Sequence, residues 1–394
     1  MKVPFGKSIF LLSVLASPVL AQSTPCGGAF SSFLNGVRTE ALSEGYSQRA
    51  TDRVLNSAQV DSKVLSRDRA QGVFKQTFLE FSQRSISGYR MSHGAQNMDR
   101  YASVFDRARR EFGVPPEVIT AFWALETDYG AVQGDFNTVN ALATLAHDCR
   151  RPHLFRPQLL AAIEMVENGD LDPATTTGAW AGEIGQVQML PEDIVTKGVD
   201  GDGDGHVRLK SSSPDAILTA ANLINSLGWH AGEPWLVEVS ATGNTQWGKS
   251  GLDTKLRVSE WEAMGLRALN GNMPSDRMEA SLLAPQGRNG PKFLAFRNFD
   301  VYLEWNQSFI YSTTAAYLAT RLGGAQRYDA GTPDDGLNDA QMKQLQQILA
   351  ARGYDVGKID GILGARTRNA VQAEQTRMGL PADAWPTLAF LARY

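Results

Sequence analysis

Glu126 ends a run of large apolar residues in the stretch "FWALETDYG" (122–130). Ile119, Phe122, Trp123 and Glu126 stand at i, i+3, i+4 and i+7, so on a helix the carboxyl shares a stripe with aliphatic and aromatic side chains. Such surroundings disfavour the charged form of a carboxylate and raise its pKa. A carboxyl that holds its proton near neutral pH can act as a general acid. Gly130 is expected to stop the helix and open room for a substrate. The same spacing also suits a buried glutamate paired with an arginine, or one that reaches solvent at the helix end.

Two other stretches carry chemistry. "GAWAGEIGQVQMLP" (178–191) combines glycines, which allow close backbone approach to a ligand, with Gln186 and Gln188, whose amides can pair with sugar hydroxyl and acetamido groups. Taken alone it also reads as a tight structural loop. "DGDGDGHVRLKSSSPD" (200–215) puts Asp200, Asp202 and Asp204 at alternate positions, followed by Gly205 and His206. This is the first half of an EF-hand loop, with oxygen ligands at positions one, three and five, glycine at six and a backbone carbonyl, that of His206, at seven. Position twelve is Ser211 rather than glutamate, and Asp215 is the candidate closing carboxylate. The expectation is a structural calcium ion; the alternative is a flexible acidic turn.

These residues need a scaffold. The chain has 394 residues, so more than one domain is expected. Charged residues make up 20%, which argues against wholesale disorder, and a formal net charge of −4 gives no reason to expect nucleic acid as a partner. Residues 1–21 read as a signal peptide: Lys2 and Lys7, the apolar "IFLLSVLASPVL", and a cut after Ala21. No Leu-x-x-Cys stands at the junction and no later segment is long and apolar enough to span a bilayer. The mature protein is expected to be exported to the periplasm as a soluble monomer. An oxidising compartment favours a disulfide between the two cysteines, Cys26 and Cys149; the alternative is a free surface Cys26 and a buried Cys149.

Helical spacing dominates residues 28–110, including "SRDRAQGVFKQTFLEF", and returns in "TVNALATLAHD", in "RPQLLAAIEMVENGD" closed by Gly169, and in "SPDAILTAANLINSLGW". In the last of these Ser213 is the expected N-cap and Gly228 the stop. Pro115 and Pro116 suit the start of the glutamate helix. "ASLLAP" and "KFLAF", around the turn "QGRNG", read as strands, and "FDVYLEWNQSFIYSTTAAYLATRL" as helix again. Residues 326–336 are an aperiodic stretch expected to be a linker.

"GVPPEVITAFWALETDYG", "NALATLAHDCRRPHLF", "GAWAGEIGQVQMLP", "DGDGDGHVRL", "GWHAGEPW" and "NFDVYLEWNQS" occur here in the order seen in lytic murein transglycosylases of the membrane-bound B type. The chain resembles that family over residues 28–325. The resemblance implies a mainly α, lysozyme-like catalytic domain (22–325) with a small β-containing subdomain, acting on the MurNAc–GlcNAc β-1,4 bond of peptidoglycan glycan strands. The family's catalytic glutamate falls on Glu126. In the mechanism this implies, one carboxyl protonates the glycosidic oxygen and then acts as base on the C6 hydroxyl, closing a 1,6-anhydro ring with help from the 2-acetamido group. Calcium is bound at the position of the acidic loop in some members. Gln188, Asn306 and Ser308 match the family pattern, whereas Ala179 stands where many members have serine, Glu183 replaces a small residue and Trp305 replaces a tyrosine. Glu183, as a second carboxylate, supplies an alternative, a hydrolytic muramidase. A separation of ~5–5.5 Å from Glu126 would suit a nucleophile and ~6.5–9.5 Å a base acting on water. A non-catalytic scaffold, with Ala179 and Trp305 marking lost activity, is the alternative from another class.

Residues 337–394 resemble the common three-helix peptidoglycan-binding domain. Leu345, Leu349 and Tyr354 read as its core, Asp360, Gly361 and Gly364 as a turn, and Thr367 as a residue that fixes the start of the next helix.

Overall fold

The glutamate helix runs from Pro116 to Thr127, with Pro115 extended before it and a proline at its first position, where no amide partner is lost. Every residue from Val118 to Ala124 is buried. The apolar surface therefore goes all the way round, and the helix is the centre of a bundle rather than an amphipathic wall. It packs against the helices Phe309–Leu322 and Gly88–Arg100. Gly94 allows the second contact, because a Cβ there would lie 3.3 Å from the Thr120 side chain and 2.6 Å from the hydroxyl of Tyr129 just past the helix end. A second group joins Thr138–His147, Pro152–Asn168 and Pro191–Lys197.

The computed structural model describes residues 24–70 and 76–394. The expected leader, 1–21, lies outside these residues, as does part of "SRDRAQGVFKQTFLEF". No helix among the described residues is long and apolar enough to cross a membrane.

Several boundaries differ from expectation for local reasons. Gly169, left-handed at φ +80°, ends Pro152–Asn168 as expected. The helix Ser213–Ser226 is capped by Ser212, whose hydroxyl accepts the Asp215 amide, one residue before the expected cap, and its C-cap is Leu227. Asp128, not Gly130, caps the glutamate helix at φ +50°, and Tyr129 follows at φ +63°. The stretch 299–322 is two helices, Arg297–Trp305 and Phe309–Leu322. They part because Asn306 Oδ1 accepts the Ser308 amide and the Ser308 hydroxyl accepts the Tyr311 amide, a local alternative to continued helix.

Two small antiparallel sheets complete the first unit. β1 (Phe136–Asn137) pairs with β2 (Thr177–Gly178). β3 (Leu236–Ser240), β4 (Leu256–Arg257), β5 (Arg267–Ala268), β6 (Glu279–Leu283) and β7 (Phe293–Ala295) form a sheet of order β4-β6-β7-β3-β5. The two expected strands are β6 and β7, paired with Leu282 opposite Leu294. Val239, Trp261, Leu282, Leu294 and Phe296 make this subdomain's own core.

The C-terminal unit has helices Asp339–Ala351, Ala365–Arg377 and a short Leu388–Leu391 around Leu345, Leu349, Val371 and Phe390, with Tyr354 packed at the edge. Thr367 donates to the Val356 carbonyl and accepts from Gln346, tying the preceding loop to the helix. This unit docks on the first by polar contacts: Gln372 to the Ser250 carbonyl at 2.8 Å, and Asn369 to Asp253 at 2.6 Å. The aperiodic stretch between the units is also held down, since the Asp329 amide donates to Glu238 at 2.7 Å.

Cys26 and Cys149 form a disulfide across a sequence separation of 123, and the Gly27 amide donates to the His147 carbonyl beside it. Loss of the tie in a Cys26→Ser, Cys149→Ser variant is expected to cost about 2–5 kcal/mol. Urea unfolding of the oxidised parent and the variant checks this; coincident midpoints would refute it.

Candidate active site

Glu126 lies in the last turn of the central helix. Trp305 and Tyr311 reach it from the two sides of the break between the helices Arg297–Trp305 and Phe309–Leu322. The Trp305 indole N–H donates to Glu126 Oε1 at 2.9 Å and the Tyr311 hydroxyl to the same oxygen at 2.5 Å. No cation pairs with Glu126 among the described residues, so the arginine-paired alternative does not hold. Trp305 is held flat on Phe122, with ring centroids 4.2 Å apart. Burial raises the pKa of Glu126, and the hydrogen bonds from Tyr311 and Trp305 pull against it without reversing the direction. With both protein donors on Oε1, the neutral acid carries its proton on Oε2. Burial and the facing carboxyl hold the Tyr311 hydroxyl far above the ordinary phenol range, so it acts as a donor and not as a base.

The helix end is locked to the glycine-glutamine loop. The Thr127 hydroxyl donates to the Gln186 carbonyl at 2.5 Å and accepts the Gly130 amide at 2.8 Å. Asp128 pairs with Arg90 at 2.6 Å, and the Tyr129 hydroxyl donates to the Arg90 carbonyl at 2.5 Å. Gly130 permits this packing, since at φ +88° a Cβ there would meet the Gln186 side chain at 3.0 Å.

The loop residues divide by role. Gln186, 5% exposed, lies under the helix end with its Oε1 accepting from Ser213. Its Oε1 and its backbone carbonyl are thus taken up in packing the motif. Gln188 is left-handed at φ +51°. Its amide nitrogen is used by the Gln133 and Gly185 carbonyls, which leaves only its carbonyl oxygen to meet a ligand. Asn306 uses its Oδ1 to shape the turn. Glu183 is half-buried with Oε2 unpartnered. Burial pushes its pKa up and the neighbouring Glu126 adds to the rise.

In the acidic loop, ligand atoms of Asp200, Asp202 and Asp204 converge to within 4.8 Å of one another. The Gly205 and Gly203 amides hold Asp200 in its charged form. Three carboxylates at this spacing form an all-oxygen donor set that fits a hard cation. Asp215 is not among the three: it is buried, with its oxygens accepting the Gly201 and Arg208 amides, so it staples the two ends of the loop. The His206 imidazole turns away to Asp170, 2.9 Å distant.

Tyr311 was not singled out from the sequence. The signal that points to it is Ser308, an N-cap residue three positions earlier, which breaks the helix and swings Tyr311 onto Glu126.

A family model described as "Transglycosylase SLT domain" matches residues 29–320, and one described as "Putative peptidoglycan binding domain" matches 338–393. Membrane-bound lytic murein transglycosylase B of Escherichia coli K12 is 30% identical over 239 residues, which are 60% of this chain and 64% of that protein. Pseudomonas aeruginosa SltB3, solved in complex with NAG-anhNAM-pentapeptide, is 34% identical with a TM-score of 0.85 over 93% of this chain and 99% of that one. The Escherichia coli lytic transglycosylase Slt35, solved in complex with calcium, is 26% identical with a TM-score of 0.64, over 77% of this chain and 97% of that one. With the helical bundle, the half-buried carboxyl and a family match across most of its length, the chain belongs to the transglycosylase SLT family.

Proposed function

We propose that the protein is a lytic transglycosylase that cleaves the MurNAc–GlcNAc β-1,4 bond of peptidoglycan and leaves 1,6-anhydro-MurNAc ends, with Glu126 as its single acid and base. The observation that carries this reading is the carboxyl of Glu126, desolvated yet anchored on one oxygen by two donors. In the first step the Glu126 proton passes to the glycosidic oxygen as the C1–O bond breaks. The negative charge left on the carboxylate is stabilised by Tyr311 and Trp305, which are already in place. In the second step the carboxylate takes the C6 hydroxyl proton, the C6 oxygen bonds to C1, and the acid is restored. No water is consumed. Trp305, a departure from the family pattern, supplies a donor to the acid, which speaks against a scaffold with lost activity.

Mass spectrometry of products from purified peptidoglycan tests the reaction: anhydro ends are expected, whereas reducing ends one water heavier would favour hydrolysis. Glu183, whose pKa burial and the neighbouring Glu126 raise, is not the base of this reading. Glu183→Gln is expected to keep the anhydro product and at least about a tenth of the rate, because its loss removes no transition-state proton transfer.

The acidic loop is proposed to hold a structural calcium ion on Asp200, Asp202 and Asp204; the ion would supply charge neutralisation and loop rigidity, not chemistry. Added Ca²⁺ is expected to raise the melting temperature of the wild type and not of Asp202→Ala; no shift in the wild type counts against the site. The protein would be exported to the periplasm after cleavage at Ala21 and act there as a monomer. There the C-terminal unit (337–394) would hold the catalytic domain (22–325) near its insoluble substrate and raise the effective concentration of glycan.

A further inference from the structure

A cavity of about 890 Å³ opens between the two units. Ser308 and Phe309 line it on the catalytic side, and Gly364, Ala365, Arg368 and Trp385 on the other. Two independent features make it electropositive at one spot. The helix Ala365–Arg377 starts there, and its N-cap, Gly364, offers no side chain to the first amides, so the positive end of the helix is left for another acceptor. One turn in, Arg368 is 9% exposed. Its Nη2 donates to the Pro285 carbonyl at 2.8 Å, its Nε has no partner, and its guanidinium lies over the rings of Phe309 at 4.8 Å and Trp385 at 5.9 Å.

A buried cation usually has a counter-ion, because removing a charge from water is costly. Arg368 has no ion pair among the described residues. The nearby Asp383 is engaged by Gln375 and by the Trp385 and Arg288 amides. Burial lowers the Arg368 pKa to about 10, which still leaves it positive at neutral pH. A neutral donor would serve as well as arginine for a strut to Pro285.

We propose that Arg368 and the start of its helix form a carboxylate-binding site. Resting on the peptidoglycan reading above, its ligand is the free C-terminal carboxylate of a stem peptide carried by the glycan. A planar, singly charged carboxylate matches the guanidinium fork. Glu304 on the same cavity's rim, and Glu80, locked in a capping box with Thr77, disfavour more highly charged anions. Leu337, Met342 and Ile362 give an aliphatic wall for a small side chain beside the carboxylate. The cavity also backs onto the catalytic residues, because Ser308 and Phe309 follow Trp305 on the turn that holds Glu126. Four extended peptide residues span about 13–14 Å, which is the reach this proposal requires of a peptide on a sugar near Glu126.

The test is calorimetric titration of the full chain with GlcNAc-MurNAc-tetrapeptide and with its C-terminal carboxamide. The wild type is expected to bind the acid about tenfold or more tighter than the amide. Arg368→Gln is expected to remove that preference and Arg368→Lys to keep part of it, with cleavage of peptide-free glycan unchanged in both. Equal affinity of the wild type for acid and amide overturns the site, even if Arg368→Gln fails to fold. A purely structural Arg368 would lower the melting temperature and weaken both ligands alike. A wild type that cleaves peptide-free glycan without preferring the acid refutes this site alone. One that prefers the acid but cleaves nothing refutes the transglycosylase reading alone.

Discussion

Glu126→Gln is expected to reduce release of soluble muropeptides from peptidoglycan by about 10³-fold or more, since one group performs both proton transfers and each is worth roughly 10²–10⁴. Glutamine keeps the volume and an oxygen to accept from Trp305 and Tyr311, so the fold should persist. Stability should move the other way. Burial raises the folded pKa of Glu126 above its unfolded value, so the folded state holds the proton more tightly. The stabilisation from that proton is fully present below the unfolded pKa and is lost as pH rises through the folded one. At neutral and alkaline pH the wild type must bury a charge or a proton bound against its tendency to leave, and the variant has no such cost. Glu126→Gln should therefore melt higher than wild type at pH 8, and the gap should close toward pH 4. A variant with wild-type turnover, or one whose melting difference widens in acid, would remove Glu126 from the centre of the mechanism.

The second large effect is expected at Tyr311. Tyr311→Phe deletes the shorter of the two hydrogen bonds to Glu126 Oε1 and leaves the ring packing in place. The ionised carboxyl loses a donor, so its pKa rises further, and the charge formed in the first step is less well stabilised. The turnover number should fall by roughly 10- to 100-fold, in line with the removal of one preorganised donor to a developing charge. The decline of rate with rising pH should move to higher pH, because the acid keeps its proton longer. That shift separates a positioning role from a packing role, since a loosened core would lower the rate without moving the limb. Trp305→Phe should move the limb in the same direction. A limb that stays in place or moves toward acid contradicts the assignment.

How far the sequence revealed this site depends on distance along the chain. Glu126 stands out because the apolar residues that share its stripe sit within two turns of the same helix. The prolines that start that helix and the glycine that closes Pro152–Asn168 act within a few residues and were equally readable. Tyr311 and Trp305 meet Glu126 across separations of 185 and 179 residues, and no periodicity carries that pairing. Gln186 shows the same limit: the contact between Thr127 and its backbone, which draws it under the helix end, crosses 59 residues. The stripe through Glu126 was correctly placed, yet the helix is buried on every side, which only the surrounding bundle decides. The docking of the C-terminal unit rests on single side chains such as Gln372 and Asn369, whose composition gives no hint of a partner surface.

The two donors that meet Glu126 share one oxygen, and in the proposed reaction this fixes an order of events. The carboxyl cannot swap its oxygens between the two halves of the reaction without releasing both the indole and the phenol. The atom that gives up the proton is thus also the atom that later retrieves one. The departing sugar's hydroxyl and the C6 hydroxyl must occupy the same spot in turn, so the cut strand has to withdraw before the ring can close.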